Sequence, residues 1–522
     1  MSSRMIKPIY PQTRPMLLYE STNDYNVGTL ADAFTSLAND AVKEQMSIRL
    51  AKLKHLESEL GSSGYPEIDS KETESMTTVE QINKNHRTLN NDEENEGVNY
   101  CIYGRIKAIR FGGLFVVIED KQGDELQVLF RRKMTIHIGD KPFNAENIDQ
   151  LIDIGDVIQV GGHVKKTGTG ELTLIPHHMS ILAKCLLPMP DGFHGLKDVA
   201  TRHKLRHLDI MVNEDTRGIL LQRSHIIWEL RKLLHSKGFV EVETPILQHI
   251  YSGANAQPFK TRSEALDENL YLRIAPEFFL KRLIVGGLGD KIFEIGKCFR
   301  NEGTSARHSP EFTMIEIYQQ MANAGDMINL LEEIIETLAK KIGVEFPKFT
   351  RKTMVGLIEE HIGINVDLCS SEQLLSILRE RGLDTNTLES NSWGSLVATL
   401  FKCAVEDNIT EPTHVTELPS DISPLAASEG SKGKVFESYL QGLEIAHGCT
   451  EECNPVQLLH KLDMCGLQGL GHTRDTELLN AVAHGMPPTA GIGIGIDRLV
   501  MALSKTTSIK NIQTFPLLKS EA

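Results

Sequence analysis

The stretch PPTAGIGIGIDRLVMAL, residues 487–503, leaves the backbone few options. Glycine alternates with an apolar residue through Gly491, Gly493 and Gly495, which is the period of a strand. Glycine inside a strand marks a place where something else approaches the backbone closely, and a flat ligand lying on the bare chain is the expectation. A helix then opens near Asp497, and Arg498 falls by its N-terminus, where anions are favoured. A second stretch, FEIGKCFRNEGTSARHSPEFTMIEIY at 293–318, reads as two strands joined by a charged loop. Its first strand carries Arg300 to the end, and the loop adds Glu302, Arg307 and His308. A planar guanidinium binds two phosphate oxygens at once, so the hairpin suits a polyanion. A salt-bridged surface hairpin would read the same way. The third stretch, GFVEVETPIL at 238–247, is a strand broken by Pro245.

These elements sit at the end of a 522-residue chain, long enough for two or three domains. Residues 1–66 read as an N-terminal extension. Its segment 30–60 lacks Gly and Pro and repeats apolar residues at helical spacing, until GSSGYPE at 61–67 breaks it. Residues 67–98 are polar, carry the run NNDEENEG, and read as a solvated linker. From 99 to 190 the period becomes two: ELQVLF places Leu126, Val128 and Phe130 on one face, and KKTGTGELTLI is a hairpin. Several short strands in one domain suggest a small barrel. Arg105, Lys107, Arg110, Arg131, Arg132 and Lys133 make one side basic, and Phe115 could stack a splayed base there or belong to the core. From 191 to 522 helices and strands alternate, with GDMINLLEEIIETLAKKIG an amphipathic helix presenting Ile328, Leu331, Ile335 and Leu338.

The net charge of −15 argues against a general nucleic-acid coat, but not against a local basic face. No apolar run approaches the roughly 20 residues that cross a bilayer, and the N-terminus lacks the apolar core of a signal peptide. The eight scattered cysteines suggest reduced thiols, and the expected compartment is the cytoplasm.

One further stretch, GLEIAHGCTEECNP at 442–455, crowds carboxylates, His447, Cys449 and Cys453 around Gly448. It reads as a metal site, a redox site or the wall of a substrate pocket. A zinc site would draw on His447, Cys449, Cys453, His460, Cys465 and His472, but CxxxC followed by scattered partners is not a firm zinc spacing.

In their order along the chain, the three stretches resemble the signature motifs of class II aminoacyl-tRNA synthetases. FHGLKDVATR at 193–202, YLRIAPEFFLKRLIVGG, FRNEGTSARHSPEFTMIEIY and PPTAGIGIGIDR look like the lysyl-tRNA synthetase family almost word for word. The resemblance implies a multi-domain α+β protein. An OB-fold anticodon-binding barrel at 99–190 would precede a catalytic domain at 191–522, built on an antiparallel sheet flanked by helices. It implies a homodimer with the Pro245 region at the interface, using ATP, Mg²⁺, lysine and tRNA(Lys). A paralogue activating another basic amino acid, or acylating an acceptor other than tRNA, is the alternative.

By the same resemblance Arg300 holds the α-phosphate, Glu302 and His308 engage ATP, and Phe312 stacks on adenine with Arg498 on its other face. Glu437 and Glu444 match the magnesium carboxylates. Glu277 receives the α-amino group; Glu316, Tyr318 and Glu451 hold the side-chain end; Gly253 leaves room beside it. Phe115, Gln127 and Glu171 match anticodon-contacting positions. Three pocket carboxylates with no lysine or arginine nearby invite an ammonium. The stretch LEIAHGCTEECN departs from the family's usual REIGNGFSELND. His447 replaces an asparagine, Cys449 a phenylalanine and Leu443 an arginine. A smaller wall and a chargeable ring imply weaker lysine binding or room for a bulkier cation.

Overall fold

The computed structural model describes residues 40–68, 76–190, 196–250, 256–385, 388, 390–467 and 475–519. Two units divide at residue 195.

In the first unit the helix Asp40–Leu60 buries Met46, Leu50, Leu53 and Leu56. These join the barrel interior in one cluster. The part of the expected helix at 30–39 lies outside the described residues. Within the stretch read as linker stands a second helix, Val79–Asn85, with a Thr78–Gln81 capping box. Val79 N–H donates to Asp120 Oδ2 at 2.9 Å, and Val79 and Ile82 are buried. One cap and two apolar residues three apart are enough to dock a single helical turn, although the surrounding composition is polar.

Seven strands follow: β1 Glu94–Arg110, β2 Phe115–Glu119, β3 Glu125–Leu129, β4 Thr135–Ile138, β5 Lys141–Asn144, β6 Val157–Lys166 and β7 Leu172–Ala183. Their order is β3-β2-β1-β6-β7, and a β3–β7 pairing closes the five into a barrel. Ile102, Val116, Ile118, Leu126, Val128 and Leu174 fill the inside.

The second unit adds β8 Val240–Glu241, β9 Leu247–Gln248, β10 Lys260–Ser263, β11 Glu268–Leu272, β12 Lys291–Phe299, β13 Glu311–Gln320, β14 Thr350–Thr353, β15 Thr413–Thr416, β16 Ser428–Glu429, β17 Lys432–Gly433, β18 Val435–Leu440, β19 Leu443–Thr450 and β20 Thr489–Gly495. Eight of them form one sheet in the order β14-β15-β18-β19-β20-β13-β12-β8. Its neighbours run antiparallel from β15 to β12 and parallel at the two edge pairs.

The two faces of this sheet differ by the pleat. Ile315 and Ile317 of β13 and Ile492 and Ile494 of β20 point to one side, where they pack with residues of the helices Glu214–Ser236 and Ala324–Ile342. The second of these helices buries Ile328, Leu331, Ile335 and Leu338 as its spacing predicts, and ends at Gly343 with φ +74°. Glu316, Tyr318, Gly491 and Gly493 alternate with those isoleucines, so they face the other side. Among the described residues, no helix is long and apolar enough to cross a membrane.

Candidate active site

Strand register assembles the open face of the sheet. Glu316 (β13), Gly493 (β20), His447 (β19) and Glu437 (β18) lie side by side on four consecutive strands. The next row holds Tyr318, Gly491, Cys449 and Val435. The glycines are required by their neighbours. A Cβ on Gly491 would lie 2.4 Å from the Tyr318 ring and 2.7 Å from Glu451 Oε1, and one on Gly493 would lie 2.9 Å from Glu316 Oε1. Side chains from β13 and Glu451 thus crowd the β20 backbone, and Gly491, Gly493 and Gly495 also line the cleft.

The deep end of the cleft is acidic. Glu316, Tyr318 and Glu451 are buried, and the Tyr318 hydroxyl donates to Glu316 Oε2 at 3.3 Å. Glu277 opens the helix Glu277–Val285. The expectation of an acidic pocket without a nearby lysine fails here. Lys281 is buried with its Nζ 2.5 Å from Glu277 Oε1 and 2.6 Å from Glu451 Oε2. The signal was in the sequence: Lys281 stands four residues after Glu277, one helical turn along the same face.

Burial, reinforced by the charge of Glu277, pushes the Glu316 carboxyl up to about 8. Glu451 rises to about 7 through burial, which Lys281 only partly opposes. Burial alone would lower Lys281, but Glu277 and Glu451 hold its ammonium well above the usual range. Burial also raises the Cys449 thiol well above its ordinary value, so it stays a thiol and makes a poor redox centre.

The mouth of the cleft is cationic. Arg300 directly follows β12 with its guanidinium 5.1 Å above the Phe312 ring, and its buried Nε has no hydrogen-bond partner. Arg498, in the first turn of the helix Ile496–Leu503, donates through Nη1 to Glu444 Oε2 at 3.0 Å and through Nη2 to His308 Nε2 at 2.9 Å. A guanidinium only donates, so His308 Nε2 accepts and its Nδ1–H faces Ser305 Oγ at 2.8 Å. Burial, and then the Arg498 charge, lower the His308 pKa accordingly. Glu302 is exposed on the same loop and lines the cleft. The two ends share one cavity of about 490 Å³.

Glu437 and Glu444 flank the cleft on β18 and β19. The Tyr439 hydroxyl donates to Glu437 Oε2 at 3.0 Å, and both carboxylates act on the Tyr439 and His447 side chains. Carboxylate oxygens are the donor type that a hard dication such as Mg²⁺ takes. Burial opposes protonation of His447, yet Glu437, 3.8 Å away, lifts its pKa above the ordinary value.

Gly253, Cys465 as a side chain and His472 lie outside the described residues. Among those described, the group of three metal-type side chains within 4.8 Å of one another is Glu94, Glu96 and His163 on the barrel, so His447, Cys449, Cys453 and His460 form no zinc cluster. Cys453 Sγ donates instead to Pro487 O at 3.2 Å.

Two structural charges went unforeseen. Asp497, buried beside Arg498, accepts from Arg223 Nη2 at 2.7 Å and from Thr313 N at 3.0 Å, fixing the helix to β13. Arg273 pairs with buried Glu294, which also accepts from Thr244 Oγ1 at 2.7 Å. Both pairings link distant segments, and no local spacing announces them.

On the barrel, Phe115 and Gln127 lie on the outer face, since Val116, Ile118, Leu126 and Val128 point inward. Phe115 stands edge-on to Phe111 with ring centroids 6.1 Å apart, and Phe111 is 80% exposed. Gln127 Nε2 donates to Thr173 Oγ1 at 2.9 Å, and Glu171 is exposed in the β6–β7 turn. Part of the basic face is spent internally: Lys107 pairs with Glu119 at 2.9 Å and Arg131 with Glu94 at 2.6 Å. Arg110, Arg132 and Lys133 are exposed.

Residues 198–519 match the family described as tRNA synthetases class II (D, K and N). The chain is 38% identical over 504 residues to a lysine–tRNA ligase of Sinorhizobium medicae, covering 92% of this chain and 97% of the relative. It is 39% identical over 470 residues to one of Rhizobium meliloti, covering 84% and 92%. A lysine–tRNA ligase of Methanoculleus marisnigri is 37% identical over 494 residues, covering 90% and 94%.

Proposed function

The chain belongs to the lysine–tRNA ligases, a branch of the class II tRNA synthetases, and from that premise we propose how its cleft divides the work. The protein activates lysine with ATP and transfers it to tRNA. The observation that carries the division is the polarity of the cavity, with carboxylates at its closed end and guanidinium groups at its mouth.

In the first step the lysine carboxylate attacks the α-phosphate and pyrophosphate leaves. In the second, a terminal ribose hydroxyl of tRNA takes the acyl group and AMP leaves. Both steps need reactants held in line and developing charge neutralised. Glu277 takes the α-amino group, and Glu316, Tyr318 and Glu451 take the far ammonium. His447 and Cys449 complete the amino-acid wall, and Gly253, outside the described residues, keeps its amino-acid-binding role by resemblance alone. Arg300 neutralises the phosphate, and its unpartnered Nε is a donor suited to an anion. Glu302, His308 and Phe312 hold the nucleotide, with Arg498 kept in place by Glu444. Glu437 and Glu444 would hold Mg²⁺, which supplies charge neutralisation on the phosphates when bound.

Phe115, Gln127 and Glu171 offer the barrel surface to anticodon bases. The working form is a homodimer, supported by exposed Leu221 and Trp228 on one helix and Val240, Ile246 and Leu247 around Pro245. Sedimentation velocity finding only monomer would reject that assembly. The site of action is the cytoplasm, where free cysteines such as Cys403 stay reduced.

Pyrophosphate exchange tests the phosphate assignment. Arg300→Ala should lose roughly 100-fold or more in exchange, the usual effect of removing one donor to a developing anion. Exchange near the parent rate rejects the role of Arg300.

A further inference from the structure

Four charged groups meet at the closed end of the cleft, three acids and one base. Lys281 is 3% exposed and bridges Glu277 and Glu451. Glu316 receives the Tyr318 hydroxyl instead. The other titratable groups facing this cluster are Cys449 and His447 of β19, Cys298 of β12 and Cys453 after β19, the imidazole being cationic only when protonated. When all three carboxyls are ionised, as an arriving ammonium requires of Glu316 and Glu451, three carboxylates against one ammonium leave two negative charges.

That count can be set against the ligand. Free lysine carries two ammonium groups and one carboxylate, a net charge of one. Once the carboxylate has become the acyl group of the adenylate, the lysyl part carries two ammonium groups and no carboxylate. The closed end of the cleft therefore balances the two ammonium groups, while the carboxylate that reacts lies toward Arg300 at the mouth.

We propose that Lys281 is a specificity-determining positioning residue, a built-in ammonium that sets the pocket at two uncompensated carboxylates and so selects a diamino acyl group. It acts through Glu277 and Glu451, and touches no reacting atom. This inference rests on the lysine-activation reading. An amino acid with a neutral side chain leaves one buried carboxylate unpaired, which is costly. Removing Lys281 leaves three acids facing two ammonium groups. Mutual repulsion then raises the carboxyl pKa values, and protonated carboxyls no longer hold an ammonium.

The test is Lys281→Met, of similar length and uncharged, compared with Lys281→Arg. Both are assayed by pyrophosphate exchange with lysine across pH, with circular dichroism to confirm folding. The expected result for Lys281→Met is a lysine KM raised about tenfold or more near neutral pH and recovering as pH rises, with KM for ATP little changed. Lys281→Arg should restore the parent pH profile. If Lys281→Met does not fold, Lys281→Gln takes its place. A folded uncharged variant with the parent's lysine KM and pH profile overturns the inference. So does a loss that falls equally on lysine and ATP and does not vary with pH. A parent protein that fails to exchange with lysine defeats the activation reading and the inference together, whereas an active parent with an unmoved variant defeats the inference alone.

Discussion

At the scale of single residues, protonation decides how tightly the pocket holds its substrate. Glu316 sits near 8 and Glu451 near 7, both raised chiefly by burial. An ammonium binds the ionised carboxylate, so below these values the incoming lysine must expel a proton. The sign follows: affinity is weakest in acid and grows as pH rises through the raised pKa values. KM for lysine should fall by about tenfold between roughly pH 6.5 and 8.5, with proton release seen as a buffer-dependent heat in calorimetry. A flat profile would mean that both carboxyls are already ionised at pH 6.5. That Arg300, Glu316 and Glu451 share one cleft was readable because a long motif carries each one. Lys281 lay inside a quoted motif yet was passed over, because its meaning appears only when β19 brings Glu451 beside the helix.

At the scale of elements, β20 was legible as a strand but not in its purpose. Alternating glycines announce a close approach to the backbone, and the structure shows Tyr318, Glu451 and Glu316 approaching it where the same glycines line the cleft. Gly491→Ala places a methyl group 2.4 Å from the Tyr318 ring. Overpacking of this kind costs about 1–3 kcal/mol, and here it should also push Tyr318 away from Glu316. A lower melting temperature together with a raised lysine KM is the expected pair of results. Unchanged values for both would show that the ring can move aside freely. The helix Val79–Asn85 is the opposite case, a short element hidden in polar composition because one cap and two apolar contacts sustain it.

At the scale of the whole molecule, the chain separates into two compact units, and activation and tRNA recognition can be tested separately. Phe115 stands on the outside of the barrel beside an exposed Phe111, so its removal opens no cavity in the interior. Phe115→Ala should weaken tRNA charging by about 1–3 kcal/mol, the worth of one stacked base, and leave pyrophosphate exchange at the parent rate. Equal loss in both assays would assign Phe115 to stability instead. The barrel and the catalytic sheet were both foreseen, the first from its period-two strands and the second from motif resemblance. The pairing of Asp497 with Arg223 was not, because contacts spanning hundreds of residues leave no trace in local pattern. The pleat of the large sheet carries one more consequence, for descent. Isoleucines on one face maintain the fold, while the other face lines the cleft with a few neighbours such as Tyr318, His447, Cys449 and Glu451. Mutation can revise those neighbours while the buried face is left untouched, so a lineage can drift in what it selects without first risking collapse. A single family spanning three amino acids, D, K and N, is what such a division of labour allows.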